Sequence, residues 1–377
     1  MARKLKSDKL LFIATLLLVC TSVVMVYSAS AFISMENTGD PYLYLFKQVT
    51  WALLGLFLVP LMMRIDYRTY RQPVVIWTGL AIVVAGLVAV LFGEARNGAN
   101  RWLNFGSLGV QPSELAKIVV VVFIAALLER WMNRIDEPAY ALLPIGVVLA
   151  VIVALILREP DLGTSVSILV IAAVMIFAAG IDYRYVAALG VAGSAALYCL
   201  LAVSDYRWRR VTAFLNPWAD PLGDGFQMIQ SMIAVGSGGI FGRGLMGGVQ
   251  KLFYLPEPHN DFIYAVISEE LGFVGATIVV ACFCVITWRG LRTALRAPDR
   301  FGAFLALGLT TMVAFQAFFN VSVVLGLMPT KGIPLPFVSY GGSSLLINLL
   351  GMGILLNVSQ HASSTHVVTT TLATQDA

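Results

Sequence analysis

LPEPHNDFIYAVISEELGFVGATIVVACFCVIT, Leu255 to Thr287, is the stretch on which the fold turns. Its first half holds four acidic residues, Glu257, Asp261, Glu269 and Glu270, and His259, one of three histidines in the chain. Its second half, from Phe273, is an apolar run that with its approach is long enough to cross a bilayer, which takes about 20 residues of helix. Ionisable groups at the edge of hydrocarbon are costly to place, so they are functional candidates by default.

The rest of the chain has the same character. It is 377 residues long, 59% hydrophobic and only 12% charged, with a net charge of +4. A soluble domain carries about 25% charged residues, so the composition points to an all-α polytopic membrane protein. No basic block of the kind that binds nucleic acid is present. Cys20, Cys199, Cys282 and Cys284 all lie in apolar runs, which fits neither a disulfide framework nor a zinc site. Continuous rather than alternating apolar runs exclude a barrel.

Ten spans are expected, near 10–33, 44–63, 74–93, 112–129, 140–157, 162–180, 185–203, 262–287, 301–326 and 340–358. The first follows Arg3, Lys4, Lys6 and Lys9 and is too long for a signal-peptide core. With the N-terminus in the cytoplasm, the inner loops gather Arg64, Arg68, Arg71, Arg130, Arg134, Arg184, Arg289, Arg292, Arg296 and Arg300. The short outer loops hold only Lys47, Arg96, Arg101, Arg158 and Lys331. That asymmetry predicts cytoplasmic N- and C-termini. Residues 1–360 then form one membrane domain, with a large extracytoplasmic loop, 204–261, between the seventh and eighth spans. The Ser/Thr-rich stretch 361–377 reads as a disordered cytoplasmic tail.

Most of the unusual polar residues fall on the outer side. Asp261 heads the eighth span, where it suits a general base, a metal ligand or a helix N-cap. Glu269 and Glu270, about two turns further in, suit structural pairing. In QPSELAK, Glu114 and Lys117 are three apart and can meet on one helix face, although Asp161 of REPDLGTS is a second possible partner for the lysine. ARNGANRWLNFG places Arg101 and Trp102 among glycines, fit for a phosphate and a sugar face or for plain interfacial anchoring. GSGGIFGRGLMGGVQK contains G-x-G-x-x-G but lacks the βαβ setting of a dinucleotide site. It is either an anion-binding loop with Arg243 and Lys251 or a tight interfacial turn. GLMPTKGIPLPFVSYGGSSLL cannot form a regular helix through Pro329, Pro334 and Pro336. Such backbone is tolerated near lipid where it lines a cavity, to which Lys331 would lend charge and Ser339, Ser343 and Ser344 hydroxyls.

These motifs together resemble the SEDS family (shape, elongation, division and sporulation), which includes FtsW and RodA. The resemblance rests on Asn320, Gly326, Leu327, Pro329, Gly332, Ile333 and Phe337 to Ser344, on the QKLFYLPEPHNDFIYAVISEELGFVGA block, and on NRWLNFGSLGVQPSELAK. It covers the chain from the first span to the tenth. It implies a peptidoglycan glycosyltransferase that polymerises lipid II at the outer face of the cytoplasmic membrane, with Asp261 as the essential carboxylate. The family's other site positions match Arg101, Trp102, Glu114, Lys117 and Asp161, and His259 falls in the same block as Asp261. Arg101, Lys117, Arg243, Lys251 and Lys331 are candidate cations for the pyrophosphate, to which a divalent cation, Mg²⁺ or Mn²⁺, could add. The PTKG sequence resembles the septal FtsW branch more than the side-wall RodA branch, while Asn260 and Tyr264 depart from the commoner Thr and Phe. The resemblance also implies a class B penicillin-binding transpeptidase and other division proteins as partners, and lipid II, the nascent glycan strand and membrane lipids as molecular contacts. Rival readings are a lipid II flippase, which would need polar groups through the depth of the bilayer, and a division scaffold.

Overall fold

Each of the ten apolar runs forms a helix. The computed structural model describes residues 7–93, 101–105, 108–134, 137, 139–202, 205–252, 254–330 and 332–373. The helices on the expected runs are α1 (Lys9–Thr38), α2 (Leu43–Arg64), α3 (Pro73–Leu91), α4 (Pro112–Trp131), α5 (Leu142–Arg158), α6 (Leu162–Ala178) and α7 (Tyr183–Ala202). After two helices in the long loop, α8 (Asp205–Leu215) and α9 (Phe226–Ser237), come α10 (Ile263–Leu295), α11 (Arg300–Val324) and α12 (Gly342–Ala373). By length and composition, six of them (α1, α2, α3, α10, α11 and the Gly342–Ala362 part of α12) are able to cross a membrane, and α5 and α6 are shorter apolar helices.

Burial separates the layers. The apolar windows of α11 and α12 are 67% and 78% buried, and that of α3 only 22%. Leu53, Phe57, Val74, Trp77 and Phe92 are exposed, a surface that water would penalise and lipid tails would not. Without a hydrophobic drive between helices, close van der Waals fit has to hold them. At the α2–α12 seam a methyl on Gly353 would stand 2.8 Å from Met62 and 3.1 Å from the Val59 carbonyl, so only glycine permits that approach.

Three features differ from the expectation. A β-hairpin, β1 (Leu103–Phe105) with β2 (Leu108–Val110), precedes α4, pairing Leu103 with Val110 and Asn104 with Gly109. Among the described residues the regular structure is therefore helical except for this hairpin, whose three-residue strands leave almost no alternation to read. The loop before α10 carries two helices, of which α9 packs beside α11, where Ser231 Oγ donates to the Val324 carbonyl at 2.8 Å. α12 runs to Ala373, past the expected span end and into the stretch read as a tail, and no Gly or Pro interrupts it from Ile354 onward.

α10 is broken at Gly272 (φ 68°, ψ −166°). The break strips α10 of ladder bonds, and the glycine-rich loop supplies them. Arg243 and Gly244 amides donate to the Glu269 and Glu270 carbonyls, while Phe273 and Val274 amides donate to Gly239 and Ile240. The fit needs glycine on both sides, since a methyl on Gly272 would lie 2.2 Å from the Gly242 nitrogen and one on Gly242 2.1 Å from the Glu270 oxygen.

Far from this break, the α2–α3 connection is tied to the α10–α11 turn. Tyr67 is fully buried, and its hydroxyl donates to Asp299 at 2.5 Å; Arg68 Nε donates to the same carboxylate at 3.0 Å. Asp299 also caps α11 through the Gly302 amide. Burial pushes this carboxyl up, but the Tyr67, Gly302 and Arg68 bonds outweigh it and hold it below the usual carboxylate range. Asp299→Ala is expected to remove about 2 kcal/mol of stability, measured as a lower melting temperature in detergent. Because the folded carboxyl is the more acidic one, this stabilisation is present above the unfolded value near pH 4. It is lost as pH falls through the folded value, so the gap to wild type closes in acid.

Candidate active site

Asp261 lies just before α10 and is held by its backbone. Asn320, near the end of α11, donates through Nδ2 to the Asp261 carbonyl and to the Ile333 carbonyl, both at 2.8 Å. Ser339 Oγ donates to the Asn260 carbonyl at 2.6 Å and accepts from the Leu335 amide. The Tyr340 amide donates to the His259 carbonyl at 2.9 Å. The proline-rich segment after α11 thus satisfies its own polar groups by stitching itself to residues 259–261, as buried irregular backbone must.

The side chain of Asp261 is left uncommitted. α10 starts two residues later with Phe262 at its cap and no capping side chain, so the N-cap reading does not hold for Asp261. Its carboxylate is partly buried and makes no hydrogen bond among the described residues. Burial raises its pKa to about 6; the Glu257 carboxylate and Asp161 push the same way, against Arg210 and Arg101. Gly332 faces it so closely that a β-carbon there would stand 2.6 Å from Oδ2. Gly332→Ala is therefore expected to displace the carboxylate and reduce turnover by about 10-fold or more with the fold intact, measured by initial rate beside a melting curve.

Arg101 docks the hairpin onto the α5–α6 turn, donating to the Glu159 carbonyl at 2.9 Å and the Pro160 carbonyl at 2.8 Å. Trp102, beside it, is partly buried. Asp161 caps α6, accepting from the Thr164 amide at 3.1 Å, from Thr164 Oγ1 at 2.7 Å and from Gln111 at 3.2 Å. Lys117 pairs with Glu114 at 2.9 Å, both side chains nearly inaccessible, so the neighbour at three residues and not Asp161 meets the lysine. His259 is buried against Tyr44 and Tyr340, 5.0 and 5.6 Å between ring centroids. Burial lowers its pKa, which Glu257 partly offsets. The buried Ser343 hydroxyl has no hydrogen-bond partner among the described residues. Lys331 lies outside the described residues.

The other two sequence candidates stand elsewhere. Lys251 is buried with Glu270 at 2.5 Å and with Ser28 Oγ at 2.8 Å. Arg243 lies 3.5 Å from Glu269, whose carboxylate also takes the Val249 and Gln250 amides. Glu269 and Glu270 are thus paired, and the glycine-rich loop spends its amides on α10.

Two residues were not read as candidates. Arg210 of α8 donates to the Thr330 carbonyl at 3.2 Å and acts on Asp261. Glu159 is fully buried with neither carboxylate oxygen bonded among the described residues, and burial, then Asp161, raises its pKa to about 8 against Arg101. The WRR run in a polar segment was the available signal for Arg210.

Taken together, these features define a class: a multi-pass helical membrane protein with a desolvated, uncommitted carboxylate just before one helix, within the electrostatic influence of two arginines. A family model described as "Cell cycle protein", of FtsW, RodA and SpoVE, matches residues 8–364, and the chain belongs to that family. It is similar to the probable peptidoglycan glycosyltransferase FtsW of Geobacter sulfurreducens, 44% identical over 353 residues, 93% of this chain and 95% of that protein. It is also similar to stage V sporulation protein E of Bacillus subtilis, 42% identical over 366 residues, 96% and 99% of the two chains. Among solved structures, it matches a chain of a peptidoglycan synthase complex described as coordinating polymerization and crosslinking. The TM-score is 0.76 with 31% identity, covering 95% of this chain and 99% of that one. The rod shape determining protein RodA of Thermus thermophilus matches at TM-score 0.70 and 28% identity, covering 94% and 97%.

Proposed function

We propose that this protein is a peptidoglycan glycosyltransferase that polymerises lipid II at the outer face of the cytoplasmic membrane, with Asp261 as general base. The observation that carries the reading is Asp261 itself, fixed by its backbone while its carboxylate is desolvated and unbonded. The acceptor's 4-hydroxyl attacks the anomeric carbon of the donor, and its proton passes to the Asp261 carboxylate as the new C–O bond forms. The bond from that carbon to pyrophosphate breaks, and undecaprenyl pyrophosphate leaves with the electron pair. A single displacement inverts the anomeric centre. Arg101 and Arg210, which act on Asp261, are the cations best placed to meet charge developing on the pyrophosphate. Trp102, His259 and Ser343 are candidate sugar contacts, and Asp161, Glu114 and Lys117 are further candidates for holding the substrate.

No group of three metal-ligating side chains occurs among the described residues. Asp261 offers one carboxylate, and Mg²⁺ is commonly held by one or two carboxylates plus substrate phosphates. A divalent cation would therefore rest on Asp261 and the substrate's own pyrophosphate, and would supply charge neutralisation there.

In this reading the ten helices α1–α7 and α10–α12 all span the membrane, with both termini cytoplasmic and residues 204–261 outside, and residues 1–360 make one domain. The 44% identity to a protein named FtsW supports the septal role. The synthase complex described for the structural neighbour supports a class B penicillin-binding transpeptidase as partner. The test supplies purified protein, with and without that partner, with lipid II in vesicles. Glycan polymer is the expected product. Transbilayer movement of lipid II without polymer would replace the reading with a flippase.

A further inference from the structure

The end of the bundle opposite Asp261 has a pocket that the glycosyl transfer does not use. A cavity of about 380 Å³ opens between the start of α1, the last turns of α10 and the late part of α12. Its lining carries four cations, Lys9, Arg289, Arg292 and Arg296, and one carboxylate, Asp8. Asp8 is fully engaged. One oxygen caps α1 through the Leu10 and Leu11 amides, and the other pairs with Arg289. Two of the lining hydroxyls are turned to protein, Thr293 to the Arg289 carbonyl and Ser359 to the Leu356 carbonyl. Among the described residues, Lys9, Arg292 and Arg296 are therefore unmatched by acid. Arg292 lies beside the Trp288 ring, 6.0 Å from its centroid, and Arg296 is exposed. Excess positive charge on this side suits the topology, but scattered positive-inside charges do not make a concavity.

The surface beside it is apolar. Leu10 of the lining is exposed, and so are Leu291, Leu295 and Trp288 of α10, Leu295 by 89%. Residues three and four apart are neighbours on a helix, so Trp288, Leu291 and Leu295 adjoin Arg292 and Arg296, the two arginines near the end of α10 that line the pocket. A ligand that satisfies both must carry negative charge at one end and hydrocarbon at the other. Guanidinium groups match phosphate oxygens in bidentate geometry, and basic pockets between helices on the cytoplasmic side suit lipid headgroups.

We propose that this pocket binds the phosphate headgroup of an anionic phospholipid of the inner leaflet, with an acyl chain along Leu10, Leu291 and Leu295. The proposal rests on the membrane topology given above and is independent of the chemistry at Asp261. The test is native mass spectrometry of the full chain, titrated with phosphatidylglycerol or phosphatidylcholine. Wild type should bind phosphatidylglycerol preferentially. Each surface cation contributes about a fivefold factor to such binding, so Arg292→Gln/Arg296→Gln should weaken it about 30-fold and leave phosphatidylcholine unchanged. Arg296→Gln alone, at an exposed side chain, should weaken it about fivefold with the melting temperature kept. Arg130→Gln/Arg134→Gln, another cytoplasmic pair, should leave it unaltered. Equal binding of both lipids by wild type, or undiminished phosphatidylglycerol binding in the Arg296→Gln protein, would overturn the proposal. So would displacement of the lipid by millimolar inorganic phosphate, which would make this a site for soluble phosphates.

Discussion

Asp261→Asn is expected to lower lipid II polymerisation by about 10²- to 10⁴-fold, the usual contribution of a positioned base, while the protein still folds. Asparagine keeps the shape and removes only the ability to accept the proton. The raised pKa gives two further signatures. Only the carboxylate form acts, so the wild-type rate should climb through about pH 6 and level above it, rather than through the ordinary carboxylate range near 4. A carboxyl whose folded pKa is raised also opposes folding once it ionises. The penalty is absent below the unfolded value near 4 and fully present above about 6. Asp261→Asn should accordingly melt above wild type at pH 8, by about 2 kcal/mol after solvent screening, with the gap closing as pH falls toward 4. A residue serving the fold would show the reverse. Full polymerisation by the variant would move the base elsewhere.

What the chain discloses before folding is uneven, for physical reasons. Long apolar runs announce their helices because lipid leaves the backbone no alternative to internal hydrogen bonding, and all ten were legible. Asp261, His259, Asn320, Gly332 and Ser339 belong to two blocks far apart in sequence that the structure brings together. Their distinctive residues were visible, but the way they join was not. Local spacing revealed Glu114 with Lys117 because the pair lies within one helical turn. It could not reveal Lys251 with Glu270, or Arg210 beside Asp261, because those depend on how a loop returns to a helix end. The break at Gly272 was hidden inside an apolar run, and only the glycine-rich loop that completes it explains why both stretches need glycine. Asp161 shows the remaining limit, for a capping carboxylate and a ligand carboxylate are the same letter until the amides around it are placed.

The glycine-rich loop offers the second large effect, and it separates two roles for Lys251. The side chains of Lys251 and Glu270 are 1% and 0% exposed, and Ser28 bonds to both. Removing one member of a buried pair strands the other charge, at about 3–5 kcal/mol. Lys251→Met should therefore lower the melting temperature sharply. It should also lower activity, because the loop that leads to Asp261 is anchored on this stretch of α10 through Glu269 and Glu270. Lys251→Met/Glu270→Gln removes both charges and leaves a side-chain oxygen to accept the Ser28 and Met246 bonds, so most of the stability should return. If Lys251 only holds the loop, activity should return with it, measured by polymer formation beside a melting curve. If Lys251 also touches the pyrophosphate, the double variant should be stable and inactive, and the cation would have to be counted with Arg101 and Arg210 in the transfer. The buried geometry of the pair favours the first outcome, since a lysine directed at substrate would have to leave the Glu270 carboxylate and the Ser28 hydroxyl that it bonds.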